Sequence, residues 1–125
     1  MISFFLVFIN IYAYNNETII AEKLETILKR KTTNSRMKDY YDIYYFITYK
    51  WNEIDRSLLR EAINATFNNR DSNEELRNYN EILKEIDNNE NLGIMWEQYK
   101  KKHGYANGIE FGDIIVKIRE LLERI

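Results

Sequence analysis

Glu17-Thr-Ile-Ile-Ala-Glu-Lys-Leu-Glu-Thr-Ile-Leu-Lys-Arg30, then a polar break, then Asn34-Ser-Arg-Met-Lys-Asp-Tyr-Tyr-Asp-Ile-Tyr44: the reading of this stretch decides the fold. Ile20, Leu24, Ile27 and Leu28 fall at i, i+4, i+7 and i+8, one apolar stripe along a helix. Asn15-Asn16, just before it, is a pair suited to capping a helix start. The spacing therefore predicts a helix from about Glu17 to Arg30. Lys31-Thr-Thr-Asn-Ser35 reads as a loop, with Asn34 or Ser35 as the next cap. A second helix, from about Met37 to Lys50, carries Met37, Tyr40, Tyr41, Tyr44 and Tyr45 as its packing stripe.

Downstream the same period continues. A third helix is expected from about Asp55 to Asn68, with Leu58, Leu59, Ala62 and Ile63 facing inward. Ser72 and Glu75 have the spacing of a capping box, opening a fourth helix that uses Leu76, Tyr79, Leu83 and Ile86. A fifth, from about Leu92, stops at Gly104 with Lys100, Lys101 and Lys102 at its negative end. Asp113 is expected to cap a last helix bearing Ile114, Ile115, Ile118, Leu121, Leu122 and Ile125.

Upstream, Met1 to Ile11 is apolar except for Ser3 and Asn10. It is too short to span a bilayer and lacks the basic start and small-residue cleavage site of a signal peptide. Its Phe, Val, Ile and Tyr content fits a strand buried on both faces, yet no second strand run follows to pair with it. The expected fold is thus mainly α: one N-terminal strand over residues 1–14, then about six helices over 15–125, in one domain.

Composition narrows the chemistry. The chain has 125 residues, enough for one core without staples. Cys is 0 and His is 1, which excludes disulfides, thiol nucleophiles and multi-histidine metal sites. Eighteen Lys and Arg against 20 Asp and Glu give a net charge of -2, so a broadly basic nucleic-acid binder is excluded while a local basic site is not. Pro is 0 and Gly is 4, which favours uninterrupted helices.

Lys23 and Arg30 are two helical turns apart and point along nearly one line. Lys23 borders the apolar stripe among Ile19, Ile20 and Ile27, so its ammonium is partly desolvated, as a fixed phosphate contact requires. The plainer alternative is a lysine that covers apolar surface with its stem. Asp39 and Asp42, three apart on one helix face, form a carboxylate pair able to anchor a metal or take a proton. The plainer alternative is ordinary ion pairing, Arg36 with Asp39 and Lys38 with Asp42. The tyrosines from Tyr40 to Tyr45 repeat at helical spacing and read as core before they read as a base-stacking platform. The Lys100–Lys102 run and His103 read as a solvated helix end.

The combination of Glu-Thr-Ile-x-Ala-Glu-Lys-Leu-Glu, a short polar loop and Arg-x-Lys-Asp-Tyr-Tyr-Asp-Ile-Tyr resembles the AbiEii/AbiGii-type toxin family of minimal nucleotidyltransferases. The likeness is close over residues 13–48; beyond them only the helical pattern agrees, with Ile109-Glu-Phe111 before an amphipathic helix. The resemblance implies a nucleotidyltransferase α+β fold of which this chain is the helical C-terminal half. It implies a cytoplasmic toxin of a toxin–antitoxin or phage abortive-infection system that moves a nucleotide from an NTP to an acceptor such as tRNA. It assigns Lys23 and Arg30 to the triphosphate, with Arg36 beside them, and Asp39 with Asp42 to catalysis. It further implies Mg2+ and NTP for the full-length enzyme and a cognate antitoxin as partner.

One departure is plain. The family's Gly-Ser turn with an Asp-x-Asp or Asp-x-Glu pair does not occur: no Gly precedes Gly93, and no such acidic pair precedes Lys23. The expectation is therefore a chain that begins at the last core strand, has no assigned metal ligand and is nearly inactive alone. Two other readings stand beside it. One is a helical interaction module or decayed remnant that binds a partner through its exposed strand and tyrosine face, and self-associates through residues 1–12. The other is a secreted or tethered domain anchored by those residues, although the main reading expects no membrane contact.

Overall fold

The computed structural model describes residues 15–125. The strand expected over 1–14, and the self-association assigned to residues 1–12, lie outside the described residues. Among the described residues there is no strand, and the chain is mainly helical, as expected for residues 15–125.

Helix α1 (Asn16–Arg30) starts as its sequence requires: the Asn15 side-chain oxygen accepts the Thr18 N–H at 2.9 Å. Ile20, Ala21, Leu24, Ile27 and Leu28 are fully buried along one side. Each such side chain contributes roughly 1.5–3 kcal/mol relative to exposure, Ala less. A short 3-10 turn (Lys31–Thr33) redirects the chain into α2 (Met37–Tyr49). Neither expected cap holds α2 by its side chain in the usual way. Instead Arg36 occupies the cap position, and the Asn34 side chain accepts the Arg36 N–H at 3.3 Å.

Helix α3 (Arg56–Asn69) packs along α1 more extensively than any other helix does. Asp55 caps it by accepting from Leu58 N–H at 3.0 Å, and Glu17 of α1 accepts the Asp55 N–H at 2.9 Å. The expected fourth helix is two helices, α4 (Asn73–Arg77) and α5 (Tyr79–Asp87), with the chain bending at Asn78. The described residues thus form seven α-helices rather than the six expected. The capping box is also corrected. Ser72 makes no side-chain cap, because its hydroxyl donates to the Glu25 carboxylate at 2.6 Å.

Helix α6 (Glu90–Lys102) ends at His103, before Gly104 as expected. After a 3-10 turn (Gly104–Ala106), α7 (Phe111–Arg124) has its N-cap at Glu110, three residues ahead of the expected Asp113 cap. Asp113 lies in its first turn, where its charge still suits the helix dipole. Helix α7 lays Ile114, Ile115, Ile118 and Leu121 against α2 and α5. Buried Trp96 of α6 donates its indole N–H to the Ile109 carbonyl at 2.8 Å, which fixes the loop before α7. The result is a core centred on α1 and α2, with α3, α5 and α7 packed around them.

Candidate functional site

The packing of α1 against α2 is what builds the site. Lys23 on α1 lies at the edge of the buried stripe, its side chain about 20% exposed, and reaches across to α2. Its Nζ lies 3.3 Å from Asp39 Oδ1 and 3.0 Å from Asp42 Oδ2. Asp39 is buried, so the Lys23 contact is made in a poorly hydrated position where charge is felt strongly. Asp42 also takes Lys38 at 2.7 Å, the i, i+4 pair the sequence suggests. The other expected pair does not form: among the described residues, Asp39 is salt-bridged to Lys23 and not to Arg36.

Beside this pair opens a cleft of about 400 Å³ lined by Ile19, Glu22, Lys23, Thr26, Arg30, Arg36, Asp39 and Arg70. Four of the five candidate residues therefore meet in one cavity: Lys23, Arg30, Arg36 and Asp39. The fifth, Asp42, stands on its far side and lines a different groove with Lys38, Tyr41, Tyr45 and Tyr105. Arg30 and Arg36 bracket the turn between α1 and α2, and that turn is why residues six apart in sequence share a wall. Both are exposed, and among the described residues neither has an ion-pair partner, so their guanidinium groups are available to an anion.

Arg70 is the residue that the sequence reading missed. It caps the C-terminal end of α3 and enters the cleft from the opposite side. Its guanidinium is held by Glu25 at 3.0 Å and Glu22 at 3.8 Å, while Ser72 donates to the other Glu25 oxygen. Lys29 adds contacts to the Asp71 carbonyl at 3.3 Å and to Glu75 at 3.7 Å. These pairs join positions some 45 residues apart, so no local spacing announces them. The one available signal was a glutamate, Glu25, lying between apolar Leu24 and Ile27 of the stripe that the structure buries.

The acids present do not fit a magnesium ion. Asp39 and Asp42 share one ammonium between them, and Asp42 carries a second. Among the described residues no group of three or more His, Asp or Glu side chains is placed to hold a metal. The cleft is instead lined by four cationic side chains, Lys23, Arg30, Arg36 and Arg70, and two acids, Glu22 and Asp39.

The aromatic stripe of α2 is divided. Met37, Tyr40 and Ile43 are core, and Tyr40 meets Phe111 edge-on at 5.1 Å between ring centroids. Tyr41 and Tyr45 are only half-buried and join a surface row with Tyr49, Tyr99 and Tyr105. His103 is not the free helix end expected: it is half-buried, its ring tilted against that of Tyr99 with centroids 4.4 Å apart. Burial, then the nearby Asp39 charge, raises the Tyr40 pKa well above that of a free phenol. Tyr99 is raised too, by burial first and then by its hydroxyl contact with Tyr105.

No curated protein and no solved structure matches the chain significantly. A family model does, and its description is nucleotidyl transferase AbiEii toxin of a type IV toxin–antitoxin system. The match runs over residues 2–116, which takes in every candidate residue and nearly all of the helical core. On that match the chain belongs to the AbiEii nucleotidyl transferase toxin family.

Proposed function

We propose that the cleft between α1 and α2 holds the triphosphate of an NTP, and that the chain serves nucleotide transfer to an acceptor such as tRNA. The observation that carries this reading is the convergence of Lys23, Arg30, Arg36 and Arg70 on one cavity beside the Asp39 carboxylate. Three guanidinium groups and an ammonium match a polyphosphate in charge and in bidentate geometry. Membership of a type IV toxin–antitoxin family also implies a cognate antitoxin. Among the described residues no helix is long and apolar enough to cross a membrane.

In this reading the acceptor hydroxyl attacks the α-phosphorus and pyrophosphate leaves with the broken bond's electron pair. The arginines offset the charge that gathers on the departing oxygens. Asp39 and Asp42 orient the hydroxyl and take its proton, and Lys23 holds the two carboxylates in register. These 125 residues lack the Gly-Ser turn and acidic pair of the family pattern, so transfer by this chain alone is expected to be negligible while binding persists.

Calorimetric titration with ATP, GTP, CTP and UTP tests the reading. At least one should bind the wild-type chain, and Lys23→Ala should abolish that binding while the variant remains folded. Equal binding by the two chains would sink it.

A further inference from the structure

The groove on the other side of Asp42 is not used by a triphosphate. It has a volume of about 320 Å³ and is lined by Lys38, Tyr41, Asp42, Tyr45 and Tyr105. Its floor is a row of rings. Centroids lie 5.6 Å apart from Tyr49 to Tyr45, 6.2 Å from Tyr45 to Tyr41 and 4.6 Å from Tyr41 to Tyr105. The row is fixed from beneath: Tyr99 stacks on buried Trp96 at 5.3 Å, and the Tyr99 and Tyr105 hydroxyls bond at 2.5 Å. Tyr49 and Tyr105 remain more than half exposed.

We propose that this tyrosine groove binds the unpaired bases of a single-stranded nucleic acid, leading its terminal hydroxyl to Asp39 and Asp42. The inference rests on the transfer reading above and gives it an acceptor-binding surface. Three observations select this occupant over a protein segment. The lining is phenolic and charged with no aliphatic side chain, whereas a groove for an amphipathic helix is lined by aliphatic residues and Met. Exposed rings held in place suit bases of any sequence, each of which offers a π-face. Cations are at hand: Lys38 lines the groove, and exposed Lys101 and Lys102 lie in the last turn of α6, the helix that carries Tyr99.

The groove and the cation cleft also meet. Asp42 lines one, Asp39 lines the other, and Lys23 bonds to both. A strand stacked on Tyr45, Tyr41 and Tyr105 therefore ends beside the carboxylates, with the polyphosphate cleft just beyond. Tyrosine does not read the sugar, so RNA and DNA single strands are both expected to bind.

The test is fluorescence anisotropy of end-labelled RNA and DNA octanucleotides, and of a blunt duplex of the same length, on the full chain at low salt. The single strands should bind more tightly than the duplex. Tyr41→Ala with Tyr105→Ala should weaken them tenfold or more, and the matching Phe pair should restore them. Tyr49→Ala, at an exposed ring with little structural role, should weaken them about threefold. Throughout, NTP affinity should stay at the wild-type level. Unchanged oligonucleotide affinity in the alanine variants, or preference for the duplex, would overturn the groove assignment while leaving the nucleotide reading intact. Loss of single-strand binding in the Phe pair would likewise overturn stacking as its basis. Groove variants that keep oligonucleotide affinity but lose the antitoxin would make the surface a protein interface instead.

Discussion

The Lys23 ammonium on α1 stands 3.3 Å from the buried Asp39 carboxylate on α2, and it is the shared member of two charged contacts at that seam, to Asp39 and to Asp42. Removing it exposes what the pair does for the fold as well as for a ligand. Lys23→Ala leaves Asp39 buried without its cation, and the expected loss is about 1–3 kcal/mol in urea unfolding. Asp42 suffers less, since Lys38 still holds it at 2.7 Å. The double variant Lys23→Ala, Asp39→Ala should be less destabilised than the sum of the two single changes. Additive losses would show that the two residues do not interact.

Glu25 makes the second prediction. It is buried and joins Arg70 at 3.0 Å to the Ser72 hydroxyl at 2.6 Å, so it ties α1 to the turn after α3. Glu25→Ala removes the buried carboxylate that joins Arg70 to Ser72, leaves Arg70 only its longer contact to Glu22, and should cost about 1–3 kcal/mol. Ser72→Ala should cost about 1–2 kcal/mol, because Arg70 still holds the carboxylate. Both losses are read from chemical denaturation. A Glu25→Ala variant as stable as wild type would remove this anchor from the account, and with it the reason that Arg70 lines the cleft.

These two clusters mark how far the sequence could be read. Helices α1, α2 and α3 were legible because Ile20, Leu24 and Leu28, or Leu59 and Ile63, repeat at the helical period and are buried. The bend at Asn78 was not, since neither Gly nor Pro marks it. That the candidates Lys23, Arg30, Arg36 and Asp39 share one cavity follows from one short turn that brings two adjacent helices together. Arg70 was hidden because its partners are set by tertiary packing. Ser72 misled for a related reason: a buried carboxylate outcompeted the local cap for its hydroxyl. The tyrosines were read as one stripe, whereas only Tyr40 of them is in the core.

Backbone strain gives a third prediction. Lys31 ends α1 with φ 55° and ψ -128°, outside the regions that a side chain prefers. It does so to bring Arg30 and Arg36 to the same wall. Lys31→Gly should therefore raise stability by about 0.5–1 kcal/mol and leave nucleotide affinity unchanged. A thermal melt decides it, and a lower melting temperature would contradict the strained turn.

Tyr40 sets a limit at alkaline pH. Its folded-state pKa is raised by burial first and by Asp39 second. Below about pH 10 the phenol is neutral in both folded and unfolded chains and contributes no pH dependence. As pH rises past that value the unfolded chain loses the proton while the folded chain keeps it, so stability falls. Tyr40→Phe should flatten that fall. Its hydroxyl has no hydrogen-bond partner among the described residues, so the change should cost little at pH 7. An alkaline slope identical in the variant would assign the effect to other groups.

The measurement that bears most directly on the cation cleft is calorimetric binding of tripolyphosphate, which has no base or sugar, to the wild-type chain and to Arg30→Ala with Arg36→Ala. Both arginines are exposed, so the double variant should keep its fold. The account predicts that wild type binds tripolyphosphate, that NTP competes with it, and that the double variant binds at least tenfold more weakly. Equal affinity in the two chains, or tripolyphosphate and NTP bound together without competition, would contradict it.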